Sequence, residues 1–244
     1  MPPKTNPYLL SEVLEETPDT RTFVLKPQAG GEIPAFKPGQ FVNLYLTHEN
    51  CPAKMARSYS VASSPATRDR FELTIKDAGE GHFPRNLWDL KPGHLFGLLG
   101  PFGHFVFDPA TMPHIVLLGA GVGVTPMMGM IRYCRDMKLE NRITFLDVNK
   151  TLEDTIYLKE LSEVHEKENP RLKWVRSYTR LKSEDPWPGR RGRLDWEMIL
   201  ENVDEPMNVH YFICGPDQMN KDISALLLEK GVPKERVKLE NMGF

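Results

Sequence analysis

The segment LLGAGVGVTPM, residues 117–127, places Gly119, Gly121 and Gly123 ahead of Val124, Thr125 and Pro126. An apolar run precedes it and a helical pattern follows. Glycines at a strand-to-helix turn let the backbone come close to a diphosphate. Free N–H groups in the first helical turn then favour the anion. Val124 breaks the G-x-G-x-x-G pattern and no Gly-Lys-Ser/Thr follows, so neither a standard Rossmann fingerprint nor a Walker loop is present. A turn that only packs tightly is the plain alternative. A second junction, Cys214-Gly215-Pro216, also ends an apolar run. In an open parallel sheet, ligands bind beyond the carboxyl ends of the strands, and both junctions belong to that edge. Taken alone, Cys214 reads as a small buried hydrophobe. The most basic stretch holds Arg171, Lys173, Arg176, Arg180, Lys182, Arg190, Arg191 and Arg193. Solvated surface accounts for most of it, and phosphate recognition is the alternative use for the rest.

Two kinds of element must position these residues. Residues 8–108 show short alternating runs, as in TFVLKP (22–27), QFVNLYL (40–46), RSYSVASSP (57–65) and RFELTIK (70–76). Lys37-Pro38-Gly39, Ser64-Pro65, Lys91-Pro92-Gly93 and Gly100-Pro101 read as the turns between them. Short strands at this spacing predict an antiparallel β-barrel or sandwich, with one short helix over 84–90. From residue 113 the texture becomes βαβ. Strands are expected over 114–119, 142–148, 172–179 and 210–215, and helices over 125–138, 154–168, 194–201 and 216–230. A last strand is expected in the tail. This rhythm predicts an α/β doubly wound parallel sheet. The boundary falls near 108–112, giving domains 1–110 and 111–244.

Composition limits the function. The chain has 244 residues, 40% hydrophobic and 26% charged, enough to bury a core without metals or disulfides. A net charge of -2 and a pI near 6.4 argue against a nucleic-acid partner. No apolar run reaches the roughly 18–20 residues of a membrane span. MPPKTNPYLL carries no apolar h-region, so no signal peptide is expected. Cys51, Cys134 and Cys214 are too few for an all-cysteine iron–sulfur cluster, and no C-x-x-C offers zinc binding. No metal site is expected, and a reducing, cytoplasmic setting is the simplest reading. The absence of G-x-S-x-G and H-E-x-x-H argues against hydrolase and metalloenzyme readings.

Arg57-Ser58-Tyr59-Ser60, followed by Val61-Ala62-Ser63-Ser64-Pro65, resembles the R-x-Y-S flavin motif of the ferredoxin–NADP reductase-like flavoprotein family. Alternation puts Arg57 and Tyr59 on one strand face, where a cation and a flat ring would suit a flavin. Other signatures follow in order. Leu99 to Phe105 resembles G-P-x-G-x-F, and Gly119 to Met127 resembles the G-G-T-G-I-T-P-M loop. Asn149 to Asp154 resembles N-K-T-x-x-D, and Cys214 to Met219 resembles C-G-P-x-x-M. Thr179-Arg180, Trp187, Gly189, Gly192-Arg193 and Glu240 also fall in place. The resemblance extends from Leu9 to Phe244.

This resemblance implies an FAD-binding barrel followed by an NAD(P)-binding domain, with FAD ahead of FMN. It places Arg57 on the flavin diphosphate, Tyr59 against the isoalloxazine and Ser60 near N5. Ser58, Ser64, Phe83, Pro84 and Arg85 would complete the flavin site. Gly119, Gly121, Gly123, Val124, Thr125, Pro126, Lys150, Gly215, Pro216 and Met219 would form the nucleotide site. Thr125, Cys214 and Glu240 would flank the nicotinamide, so Ser60, Cys214 and Glu240 form the catalytic set. Arg180 and Arg193 would bind the 2′-phosphate, which puts NADPH ahead of NADH. Phe244 would cover the flavin face. Two features depart from the family. Gly81-His82-Phe83-Pro84 has proline where serine often binds the diphosphate, and the terminal aromatic is displaced to Phe244. Asp147 lies near the point where a standard NAD site puts its acidic ribose ligand, with Asn149-Lys150 directly after it. The implied activity is hydride transfer from NAD(P)H to flavin, then single-electron delivery to ferredoxin or flavodoxin. The alternatives are a small acceptor (free flavin, ferric chelate or quinone) or a subunit role in a larger complex.

Overall fold

Alternation in the N-terminal runs produces six antiparallel strands in the computed structural model, which describes residues 5–46, 56–77, 79, 83–164 and 171–241. They are β1 (Asn6–Thr17), β2 (Thr20–Pro27), β3 (Phe41–Tyr45), β4 (Ala56–Ser60), β5 (Phe71–Lys76) and β6 (Leu95–Phe102). Their order is β4-β3-β6-β1-β2-β5. An antiparallel bridge from Val61 to Leu73 joins the exit of β4 to β5 and closes the barrel. Leu10, Phe23, Leu25, Leu44, Phe71 and Phe96 fill its interior.

The sequence pattern hides two of these strands. β1 carries register irregularities between Leu10 and Glu12 and between Glu15 and Thr17. Each such irregularity shifts the side-chain alternation, so no clean period survives. Gly100-Pro101, expected as a turn, lies inside β6. Gly100 has φ 137, and a Cβ there would stand 3.2 Å from Val42 Cα. The β3–β6 ladder is irregular at this point, where a strand tolerates proline. The expected helix over 84–90 is a 3-10 turn, Phe83–Leu87, which sinks Phe83 and Leu87 into the barrel core.

The second half forms a parallel sheet. Its strands are β7 (His114–Ala120), β8 (Arg142–Asn149), β9 (Leu172–Tyr178), β10 (Arg190–Arg191), β11 (His210–Gly215) and β12 (Val237–Asn241). The helices are α1 (Val124–Asp136), α2 (Leu158–Glu163), α3 (Trp196–Asn202) and α4 (Asp217–Glu229). The strand order is β10-β9-β8-β7-β11-β12. The chain winds outward from β7 to β10, then returns to the other side of β7. The crevice between β7 and β11 is therefore the switch point where such sheets bind ligands.

Local caps explain the helix boundaries. α2 starts later than expected because the Asp154 carboxylate ties back to Thr151 N and Oγ1, forming a separate turn. Tyr157 then opens the helix at φ 58. Asp195 caps α3 by accepting from Met198 N at 2.8 Å.

Helix α1 packs on both halves. One face meets Leu117, Phe145 and Phe212 of the sheet, with Ala62 and Phe105 in the same buried cluster. A Cβ on Gly129 would come within 2.7 Å of Val61 O, so only glycine allows this approach. Arg132 donates to Ala62 O and pairs with Glu72 at 2.9 Å and Glu160 at 2.6 Å. The Tyr157 and Thr74 hydroxyls share a hydrogen bond across the same junction.

Candidate functional site: the carboxyl edge of the sheet and the outer strand of the barrel

Register brings together residues far apart in sequence. Cys214 pairs with Glu240 on one side and Gly119 on the other. Gly119 pairs with Asp147, and Asp147 with Arg176. In-register neighbours on parallel strands share a face, so these five form one row below the glycine turn. Cys214 is fully buried, and burial together with Glu240 pushes its thiol well above the ordinary range. It is therefore a buried, neutral thiol in the apolar cluster under the turn, and neither Cys214 nor Glu240 is among the residues lining the cavity described below. Burial also raises Glu240.

The glycine turn has a separate reason at each position. A Cβ on Gly123 would stand 2.1 Å from Cys214 O, a backbone clash that makes this glycine a packing requirement between the two junctions. Gly121 faces open space but sits at φ 54, in the left-handed region. No side chain caps α1, whose N-terminal turn follows directly. Val124, Thr125 and Pro126 are buried there, and the Thr125 hydroxyl donates to Val122 O at 2.7 Å. The backbone of this turn, with its N–H groups, is what remains to meet an anion.

A cavity of about 670 Å³ opens above the turn. Of the expected residues, Gly121, Gly123, Lys150, Arg180, Arg193, Gly215, Pro216 and Met219 line it. Asn149, Gln218, Asp222 and, from the barrel, Lys76 also line it and were not anticipated as site residues. Asn149 stood in the N-K-T motif, which was the available signal. Lys76 gave none, because only the fold brings β5 to this edge.

Ion pairing divides the basic stretch. Arg190 pairs with Asp195 and Glu201, each at 2.8 Å. Arg191 donates to the carbonyls of Lys182 and Asp185, and Arg171 pairs with Glu140. Arg176 lies between the rings of Trp174 and Trp187. Lys150, Arg180 and Arg193 instead reach the cavity with no ion-pair partner among the described residues. Asp147 is not among the residues lining the cavity. It is 1% exposed and accepts from Trp174 Nε1 and Asn149 Nδ2, while burial pushes it up to about 7.

On the barrel, β4 is the outer strand next to β3. Arg57 and Tyr59 pair with Leu44 and Val42, so they share the face that alternation requires. The Arg57 guanidinium lies 5.4 Å from the Phe83 ring and donates only to Ala56 O among the described residues. Tyr59 Oη is buried with no hydrogen-bond partner among the described residues. A flavin supplies a flat ring and ribityl hydroxyls, and its diphosphate needs a cation. The chemistry of Arg57, Tyr59 and the half-orphaned phenol fits that group. Ser58 Oγ donates to Asn43 Oδ1 at 2.7 Å, and Ser60 is buried beside Phe41. The Ser64 hydroxyl is already engaged in a turn, accepting from Ala66 N at 3.2 Å. Pro84 and Arg85 sit in the 3-10 turn, where Arg85 pairs with Asp77 at 2.8 Å. Gly81, His82 and Phe244 lie outside the described residues. Among the described residues, no helix is long and apolar enough to cross a membrane.

Residues 7–107 match the family described as Oxidoreductase FAD-binding domain, and residues 117–225 match Oxidoreductase NAD-binding domain. The chain is 32% identical over 250 residues to the sulfhydrogenase 1 subunit gamma of Pyrococcus furiosus, covering 97% of this chain and 81% of that protein. It is 31% identical over 215 residues to a Na(+)-translocating NADH-quinone reductase subunit of Methylococcus capsulatus, covering 82% of this chain and 52% of that protein. The chain thus spans only about half the length of the latter relative. The FAD/NAD binding domain of a nitric oxide dioxygenase from Vibrio cholerae shares the fold, with a TM-score of 0.84 at 21% identity and 98% of each chain covered. Fold and sequence together define an oxidoreductase built from an FAD-binding barrel and an NAD-binding parallel sheet. The chain belongs to the ferredoxin–NADP reductase-like flavoprotein family.

Proposed function

We propose that this chain is an electron-transfer reductase using FAD and NAD(P)H, with NADPH preferred, that serves a one-electron acceptor of the ferredoxin or flavodoxin type. The observation that carries the reading is the cavity at the switch point, where Lys150, Arg180 and Arg193 stand unpaired beside the start of α1. Unpaired cations beside a helix N-terminus match a ligand with both a diphosphate and a further phosphate. A bound flavin supplies two-electron acceptance from nicotinamide and one-electron release.

The chain's own residues bind and align. Arg57 would hold the flavin diphosphate, with Tyr59 as the ring platform and donor to a ribityl oxygen. Ser60 would stand at the reacting end. Cys214 and Glu240, adjacent in the sheet register, would form the nicotinamide wall and exclude water from it. Thr125 supports the turn through Val122 and acts on the nucleotide indirectly. The proposed domains, 1–110 and 111–244, assign one cofactor to each half.

A second reading has its own support. The two relatives named above are subunits by their names, which favours an electron-transfer subunit of a larger assembly. Purified protein decides between the readings. The expected result is a yellow protein with bound FAD, bleached anaerobically by NADPH faster than by NADH, that then reduces ferredoxin or flavodoxin. Efficient turnover with only quinone or ferric chelate would move the assignment to a small acceptor. A colourless protein that neither FAD nor FMN restores would overturn the function.

A further inference from the structure

Asn149 ends β8 on the cavity wall, and its amide is held from behind. Asn149 Nδ2 donates to Asp147 Oδ1 at 2.9 Å, and Trp174 Nε1 donates to Asp147 Oδ2 at 3.3 Å. Trp174 Nε1 can only donate, and above about pH 7, where Asp147 is ionised, both carboxylate oxygens accept, so the inward atom of the Asn149 amide is its nitrogen. The backbone is fixed too, because Asn149 O accepts from Thr179 N and Thr179 Oγ1. Asn149 Oδ1 accepts nothing from the described residues, yet it is not sealed from solvent. One oriented acceptor therefore stands among the donors Lys150, Arg180 and Arg193. It cannot serve a phosphate, whose oxygens also accept. It matches a group that donates. β8 and β9 lie on the opposite side of β7 from Cys214 and Glu240. With the nicotinamide at the latter pair, the adenosine half lies over β8.

We propose that Asn149 Oδ1 accepts a hydrogen bond from a ribose hydroxyl in the adenosine half of the bound pyridine nucleotide, and that Asp147 is the positioning residue that fixes its amide. This rests on the nucleotide-binding reading above. Asp147, which first looks like a ribose ligand, acts one step back through Asn149.

The test uses the flavin-loaded protein and measures NADP+ and NAD+ binding from the flavin spectrum, with reduction rates by the reduced nucleotides. Asn149→Leu, measured at pH 8, should weaken both nucleotides about tenfold. Asn149→Ser gives the same comparison if the leucine variant folds poorly. Asp147→Asn presents an N–H to the neighbouring amide and reverses it, so a similar loss is expected. Combining Asp147→Asn with Asn149→Asp reverses the pair, the inner amide donating to the outer carboxylate, and keeps an outward acceptor. It should recover NAD+ affinity while NADP+ stays weak beside the new carboxylate. A merely structural Asp147 would give no such recovery, which would overturn its role. Nicotinamide hypoxanthine dinucleotide, which lacks the adenine amine, should show the same loss with Asn149→Leu. Disappearance of the loss with this analogue would assign the contact to the amine and overturn the hydroxyl. Affinities within twofold of wild type for Asn149→Leu, with wild-type flavin still reduced by NADPH, would defeat the inference alone. Failure of either nucleotide to reduce wild-type flavin would defeat it together with the proposed function.

Discussion

The barrel and the sheet build their parts of the site by opposite means. On β4 the candidate residues are consecutive, Arg57 to Ser60, and their period-two alternation assigns each to a face. At the sheet edge, Gly119, Cys214 and Glu240 come from three strands and meet only through register. A strand motif therefore depends on side chains and tolerates backbone change, whereas a register site depends on backbone clearance.

That contrast predicts an order of effects. The largest belongs to Gly123→Ala, where the added carbon would meet Cys214 O at 2.1 Å. We expect destabilisation on the order of 3 kcal/mol or more, read by denaturant unfolding, with loss of nucleotide binding. Gly121→Ala meets open space and strains only φ, for about 1 kcal/mol. Equal costs at the two glycines would break the clearance half of the comparison.

Arg57→Ala should leave the fold intact and weaken flavin by roughly ten- to hundredfold, from a lost charge-assisted contact of about 1.5–3 kcal/mol. Titration of the apoprotein with FAD reads it. Arg180→Ala should weaken NADPH by a similar factor and NADH far less, since only NADPH carries the extra phosphate. Equal losses would remove Arg180 from the 2′-phosphate. Cys214→Ala and Glu240→Gln should slow flavin reduction in single turnover with flavin still bound. Unchanged rates would show that register does not align the nicotinamide wall.

A pH-dependent test concerns Asp147. Burial raises it to about 7 in the folded chain, against about 3.9 unfolded. The folded state keeps its proton in a window where the unfolded state has lost it, so stability falls as pH rises from about 4 to 7. Asp147→Asn removes that dependence. Its stability relative to wild type should be higher at pH 8 than at pH 4, measured by urea unfolding at both.

Much of this was legible in the sequence. The parallel strands read as continuous apolar runs ending in glycine, because both their faces are covered. The R-x-Y-S strand and the glycine turn kept local spacing, so their faces and order could be assigned from type alone. The unpaired state of Arg180 and Arg193 could not be. Arg190 and Arg191 look the same in sequence, and only the positions of Asp195, Glu201 and two carbonyls separate them. Lys76 was hidden for the same reason: its neighbour across the cavity is more than 70 residues away in sequence, at Lys150. β1 was hidden by its own irregularities, and the Asp147–Asn149 pair because spacing alone does not show that only the second of the two reaches the cavity.

Helix α1 begins at the nucleotide cavity and, one and two turns later, is locked to the barrel by Gly129 and Arg132. Neither half can unfold without baring a face of this helix that the other half had covered. The chain should therefore melt as one cooperative unit, with calorimetric and van't Hoff enthalpies in agreement. A nucleotide that binds at one end of the helix would then raise the melting temperature of the distant barrel by mass action, without touching most of it.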